Sequence, residues 1–130
     1  MEYPLAVRAR FERPLQLAGH GDASPLSAQA GRADRGAAVA LLVWPDASGT
    51  RAQSVRFRAF GCPYLVAAAD LACERLRGAG PAGFEAFDAL ALGAALGVPD
   101  ERNGRLLLIA DAAATIARRW QGLNTAHHAA

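Results

Sequence analysis

A change of period at Phe60-Gly61-Cys62-Pro63-Tyr64 constrains this chain more than any other feature. Ser54 to Phe60 alternates, with Val55, Phe57 and Ala59 on one face and Arg56 and Arg58 on the other. That is the pattern of a half-buried strand. From Leu65 onward, Leu65, Ala69, Ala72, Cys73 and Leu76 fall on one side of a helix that ends near Gly78. Pro63 suits the first helical position, where its missing N–H costs nothing. Cys62 therefore falls at the mouth of a helix, beside free backbone N–H groups and the positive end of the helix dipole. Such a setting suits a thiolate, the form that attacks electrophiles and binds metals. Two readings of Cys62 stay open on these grounds: a reactive thiol, or a small hydrophobe packed at a strand–helix junction.

Around this junction the remaining elements can be placed. Tyr3 to Glu12 reads as a short helix, with Pro4 allowed in its first turn and Pro14 forcing its end. Gly19 to Arg35 reads as a loop with a short strand near Ser27 to Ala30. Gly36 to Trp44 is a strongly apolar strand stopped by Pro45, and Asp46-Ala47-Ser48-Gly49 is a turn. Gly36 to Phe60 thus predicts an antiparallel hairpin. Beyond Gly78, the Gly-rich stretch to Gly83 predicts a flexible connection and Phe84 to Leu96 a helix ended by Gly97 and Pro99. Asn103 is placed to cap a last helix over Gly104 to Trp120, with Leu106, Ile109, Ala113, Ile116 and Trp120 as its apolar stripe. Residues 1–121 read as one domain, and 122–130, with His127 and His128, as a disordered tail. Strands segregated from helices predict an α+β domain with a small antiparallel sheet and helices packed on one face.

Composition removes several function classes. The longest apolar run, Ala37 to Trp44, is far too short to span a bilayer. No apolar signal core opens the chain, which predicts a cytoplasmic protein without a membrane partner. Net charge is +2, and all 14 basic residues are arginine. These arginines are scattered rather than striped with aromatics, which argues against a nucleic-acid partner. Cys62 and Cys73 lie about 16 Å apart if the stretch between them is helical, too far for a disulfide. Cys73 sits on the apolar stripe and reads as a packed core thiol.

The order of motifs resembles the IscU/NifU-type iron–sulfur cluster assembly scaffolds. Tyr3, Val7, Phe11, Glu12, Pro14 and Gly19 are similar to that family's opening helix and its exit. Val55 to Cys62 resembles the strand ending in an aromatic-Gly-Cys. Leu92 to Pro99 is similar to the segment leading into the chaperone-recognition motif, here Val98-Pro99-Asp100-Glu101-Arg102. Ile109-Ala110-Asp111-Ala112 resembles part of the last helix. The resemblance implies the IscU/NifU N-terminal fold and a site of three cysteines, an aspartate and a histidine. Carried over position by position, the first cysteine falls on Arg35 and the aspartate on Ala37. The second cysteine is Cys62, and the histidine and third cysteine fall on Gly104 and Arg105.

That substitution changes the chemistry. A metal ion needs about four thiolate, imidazole or carboxylate donors. Of these Cys62 alone is retained, while guanidinium groups donate hydrogen bonds and cannot coordinate. No cofactor is therefore expected; the resemblance taken whole would instead imply an iron–sulfur cluster or zinc. A divergent scaffold-like protein follows, unable to build a cluster alone and using Cys62 at most as a sulfur acceptor, with a cysteine desulfurase or another assembly protein as partner. A non-catalytic binding module with an Arg35/Arg105 anion pocket is the alternative. In both readings the arginines can equally be solvated or salt-bridged, with Asp34 and Asp111 as candidate counter-charges. A small thiol enzyme is the weakest reading, because no histidine is placed to serve Cys62 as a base and His20 lies in the loop.

Overall fold

The structure, a computed structural model, describes the backbone of residues 3–19 and 21–129 and the side chains to 124. Three antiparallel strands, β1 (Leu26–Arg32), β2 (Ala37–Pro45) and β3 (Ala52–Phe60), form a sheet in that order. In β3 the expected alternation is realised: Val55 and Phe57 are buried while Arg58 is exposed. The helices α1 (Leu5–Glu12), α2 (Pro63–Leu76), α3 (Pro81–Glu85), α4 (Ala89–Leu96) and α5 (Asn103–Ala129) complete the α+β fold. Short 3-10 turns occupy Ala33–Arg35 and Asp100–Arg102.

One face of the sheet carries the core. Val39, Leu41 and Val43 of β2 meet Leu65, Ala69 and Ala72 of α2 and Ile109, Ala113 and Ile116 of α5, all buried. The runs of alanine on α2 and α5 let helix and sheet approach closely. Larger side chains plug the ends, as where Phe84 meets Trp120 edge-on at 5.7 Å. The Trp120 indole N–H also donates to the carbonyl of Gly49 at 2.9 Å, tying α5 to the β2–β3 turn.

Four expectations need correction. The strand expected near Ser27 to Ala30 is the longer β1, whose small and polar residues are held extended by full pairing with β2 from Leu26↔Val43 to Arg32↔Ala37. Instead of a flexible connection to Gly83 and a single helix over Phe84 to Leu96, two helices form, α3 starting at Pro81 and α4 at Ala89. Asp88 separates them by accepting hydrogen bonds from the N–H groups of Leu90 and Ala91, the N-cap of α4. Asn103 does not cap α5. Its own backbone is already helical, and its Oδ1 is buried, facing Gly93 of α4, without a partner among the described residues. Finally, α5 does not stop at Trp120. Its helical backbone runs to Ala129. No proline interrupts this stretch, and its alanines favour the helix. His20 and the side chains of His127 and His128 lie outside the described residues.

Before β1 the chain takes a path the sequence did not signal. Gln16 to Ala18 lies along the free edge of β3. The Phe57 N–H donates to the Gln16 carbonyl, and the Ala18 N–H to the Phe57 carbonyl. An otherwise bare sheet edge is thereby covered.

Candidate functional site

Five elements converge at the α2 end of the sheet: β1, β2, β3, α2 and α5. The β2–β3 pairing closes at Ala38↔Phe60, so the next residues, Ala37 and Gly61, face each other. Gly61 has φ 150°, which only glycine adopts comfortably. A Cβ there would lie 3.1 Å from a methyl of Leu65, 3.4 Å from the Gly36 carbonyl oxygen and 3.6 Å from the Ala37 Cα. Glycine at this position lets β3 turn directly into α2. On the neighbouring strand Gly31, with φ 79°, packs so closely on the Ala37 carbonyl that no side chain would fit. Leu108 of α5 closes the gap, 3.0 Å from where that side chain would start.

Cys62 is the N-cap residue of α2. Its carbonyl accepts from the N–H groups of Leu65 and Val66, and its side chain makes no cap hydrogen bond. Cys62 is half-buried, packed against the rim of the core. Tyr64, two residues on, is buried and stacks edge-on with Tyr3 at 4.9 Å, so the segment entering α1 also borders this corner.

Cys73 is 1 % exposed, and burial pushes its thiol well above the ordinary cysteine pKa. A limited alkylation at neutral pH is therefore expected to label Cys62 faster than Cys73. Peptide mapping reads the ratio, and equal or inverted labelling would mean that Cys62 is as sheltered as Cys73.

Arg35 ends the 3-10 turn between β1 and β2 and is exposed; Arg105 lies in the first turn of α5 and is half-buried. Among the described residues no hydrogen bond or ion pair joins Arg35, Cys62 and Arg105. Asp34, a candidate counter-charge for Arg35, instead forms a two-pronged pair with Arg32 at 2.8 and 3.0 Å. What the fold does bring together is the backbone around these positions: Gly36 and Ala37 beside Gly61, and α5 beside Gly31. Among the described residues no three His, Cys, Asp or Glu side chains are grouped to hold an ion, and the arginines contribute none. Among the described residues no helix is long and apolar enough to cross a membrane.

Sequence reasoning missed a second polar cluster. Asp70 of α2 is buried, and its carboxylate accepts from Arg10 of α1 at 2.8 Å and from the Gln16 N–H at 2.7 Å. Arg10 also reaches Glu74 at 2.9 Å. The partners lie 60 and 54 residues from Asp70 in sequence, so no local spacing announced them.

No protein-family model matches the sequence, and no curated protein matches it. Solved structures do share the fold. One is a protein proposed to be an iron–sulfur cluster assembly scaffold for the SUF system, from the thermophile Fervidobacterium islandicum AW-1. It superposes with a TM-score of 0.64 at 16% identity, over 85% of this chain and 93% of that one. A second, described as a hypothetical protein, gives a TM-score of 0.53 at 18% identity over 93% of both chains. At such identities the likeness is one of fold.

Proposed function

We propose that this chain is a divergent iron–sulfur assembly scaffold-like protein that does not build a cluster alone and takes part as a sulfur acceptor through Cys62. One observation carries the reading. In a fold shared with an assembly scaffold candidate, a half-buried cysteine stands at the α2 mouth with its side chain free of capping duty. The partner is a cysteine desulfurase. The Cys62 thiolate attacks the outer sulfur of the desulfurase persulfide, and a new S–S bond forms on Cys62. The old S–S bond breaks, and its electron pair leaves with the desulfurase cysteine as thiolate. The transferred sulfur stays on Cys62 as a persulfide for a later acceptor. Among the described residues the donor set does not fit a resident metal centre.

Incubation with a SUF-type desulfurase and cysteine tests this by intact mass. The expected result is a gain of one sulfur, lost in Cys62→Ser and kept in Cys73→Ser. No gain from the desulfurase or from a small-molecule persulfide would overturn the acceptor role. The alternative, a binding module with an anion pocket at Arg35 and Arg105, draws on one observation: neither guanidinium has an ion-pair partner among the described residues. It would survive that negative result, and loss of partner binding in Arg35→Gln/Arg105→Gln would support it.

A further inference from the structure

We propose a second site, on the face of the sheet turned away from the helices, that binds a small carboxylate or phosphate between Arg58 and Arg119. It is independent of the sulfur-acceptor reading. A recess of about 540 Å³ opens there, lined by Ser24, Ser27, Gln29, Ala40, Arg58 and Arg119 among others, a volume in the range of small-molecule sites.

The sheet register builds it. Gln29, Ala40 and Arg58 form one row across the three strands, and Ser27, Leu42 and Arg56 the next. Ala40 offers only a methyl between two long polar side chains, which leaves a hollow in the middle of the sheet. From the β3 edge the chain crosses this face to reach β1, and Asp22 to Ser24 form one wall of the hollow. Leu42, buried although outside the core cluster, is part of the recess lining beside that wall.

Both arginines are held in place. Nη2 of Arg58 donates to the carbonyls of Gly19 and Asp22 at 3.1 and 2.9 Å. Nη1 of Arg119 donates to the Ser27 carbonyl. Each guanidinium is anchored through one nitrogen, and the other two have no partner among the described residues. A fixed guanidinium with spare donors matches the flat, forked geometry of an oxyanion. The Asp22 carboxylate, which also lines the recess, is engaged by the Gly19 N–H at 2.7 Å. Two guanidinium groups against one carboxylate leave the recess positive. The Ser27 hydroxyl and the Gln29 amide suit an anion that also carries hydroxyl groups, while the Ser24 hydroxyl is engaged with the Leu26 carbonyl.

The test is amide-resolved NMR titration of the full chain with sodium citrate and, separately, inorganic phosphate at constant ionic strength. Saturable shifts at Ser27, Gln29, Ala40 and Arg58 are expected with at least one of them, and which one saturates identifies the group recognised. Ala40→Phe fills the hollow from the side away from the core and should abolish the response with the thermal transition intact. Arg119→Gln, which leaves the Arg58 anchor untouched, should weaken binding by about tenfold, as expected for one charge-assisted contact. Cys62→Ser should bind like the wild type. Absence of saturable shifts with both anions would overturn the site, as would wild-type binding by Ala40→Phe or Arg119→Gln.

Discussion

Replacing Ile109 with aspartate is expected to unfold the protein. Ile109 is fully buried on the side of α5 that faces the sheet, within the cluster that includes Ala113, Ile116, Leu41 and Val43. None of those neighbours can hydrogen-bond a carboxylate. The substitution removes an aliphatic side chain from the core and leaves an unpaired charge or an unpartnered acid in its place. An isolated buried polar group alone costs several kcal/mol, and a domain of this size has only about 5–15 kcal/mol in total. Leu107→Asp is the control: two residues earlier on the same helix, Leu107 is 47 % exposed, so its replacement should be tolerated. Thermal unfolding followed by circular dichroism distinguishes them. A cooperative transition in Ile109→Asp at the wild-type temperature would mean that α5 is wrongly placed on the sheet.

The same helix shows why parts of the fold could be read in advance. Leu106, Ile109, Ala113, Ile116 and Trp120 recur at helical spacing because one continuous face meets one continuous core, and each is buried. The β3–α2 junction was equally legible, since strand alternation, Gly61 and Pro63 all act within a few residues. Legibility failed where the determinant was distant or competing. The composition of β1 gives little local preference for a strand, and its seven residues are extended because β2 pairs with all of them. Asp88 was hidden inside a spacing of Phe84, Phe87 and Leu90 that mimics one helix; its capping preference outweighed that rhythm. Around the candidate site, the positions of Gly61 and Cys62 followed from local signals. The approach of Gly36 and Ala37 depends on sheet register, which no single stretch encodes. The outer-face recess depends on a three-strand row and on α5 reaching the β1 edge through Arg119, so it too was out of reach.

The buried Asp70 cluster gives the second large effect. Arg10→Met keeps most of the aliphatic stem but leaves the Asp70 carboxylate, 1 % exposed, with only the Gln16 N–H. Removing one partner of a buried pair costs about 3–5 kcal/mol. Arg10 itself is a quarter exposed and partly screened, so about 2–3 kcal/mol is expected here. Adding Asp70→Asn removes the stranded charge while keeping an acceptor for the Gln16 N–H, and should recover most of that loss. The double-mutant cycle thus separates a buried-charge penalty from lost packing. Glu74 adds a pH signature. The hydrogen bond from Arg10 holds its carboxyl below the usual glutamate range, mainly through that bond and against a smaller desolvation effect. A group whose folded-state pKa is depressed stabilises the fold above its unfolded value, about 4.3 for glutamate, and loses that contribution as the pH falls through the folded value. Removal of Arg10 deletes this term, so the stability gap between wild type and Arg10→Met should be widest near neutral pH and narrow below about pH 4. Denaturant midpoints at pH 7 and at acid pH measure it. A gap that is constant or grows on acidification would show that Arg10 acts through packing alone.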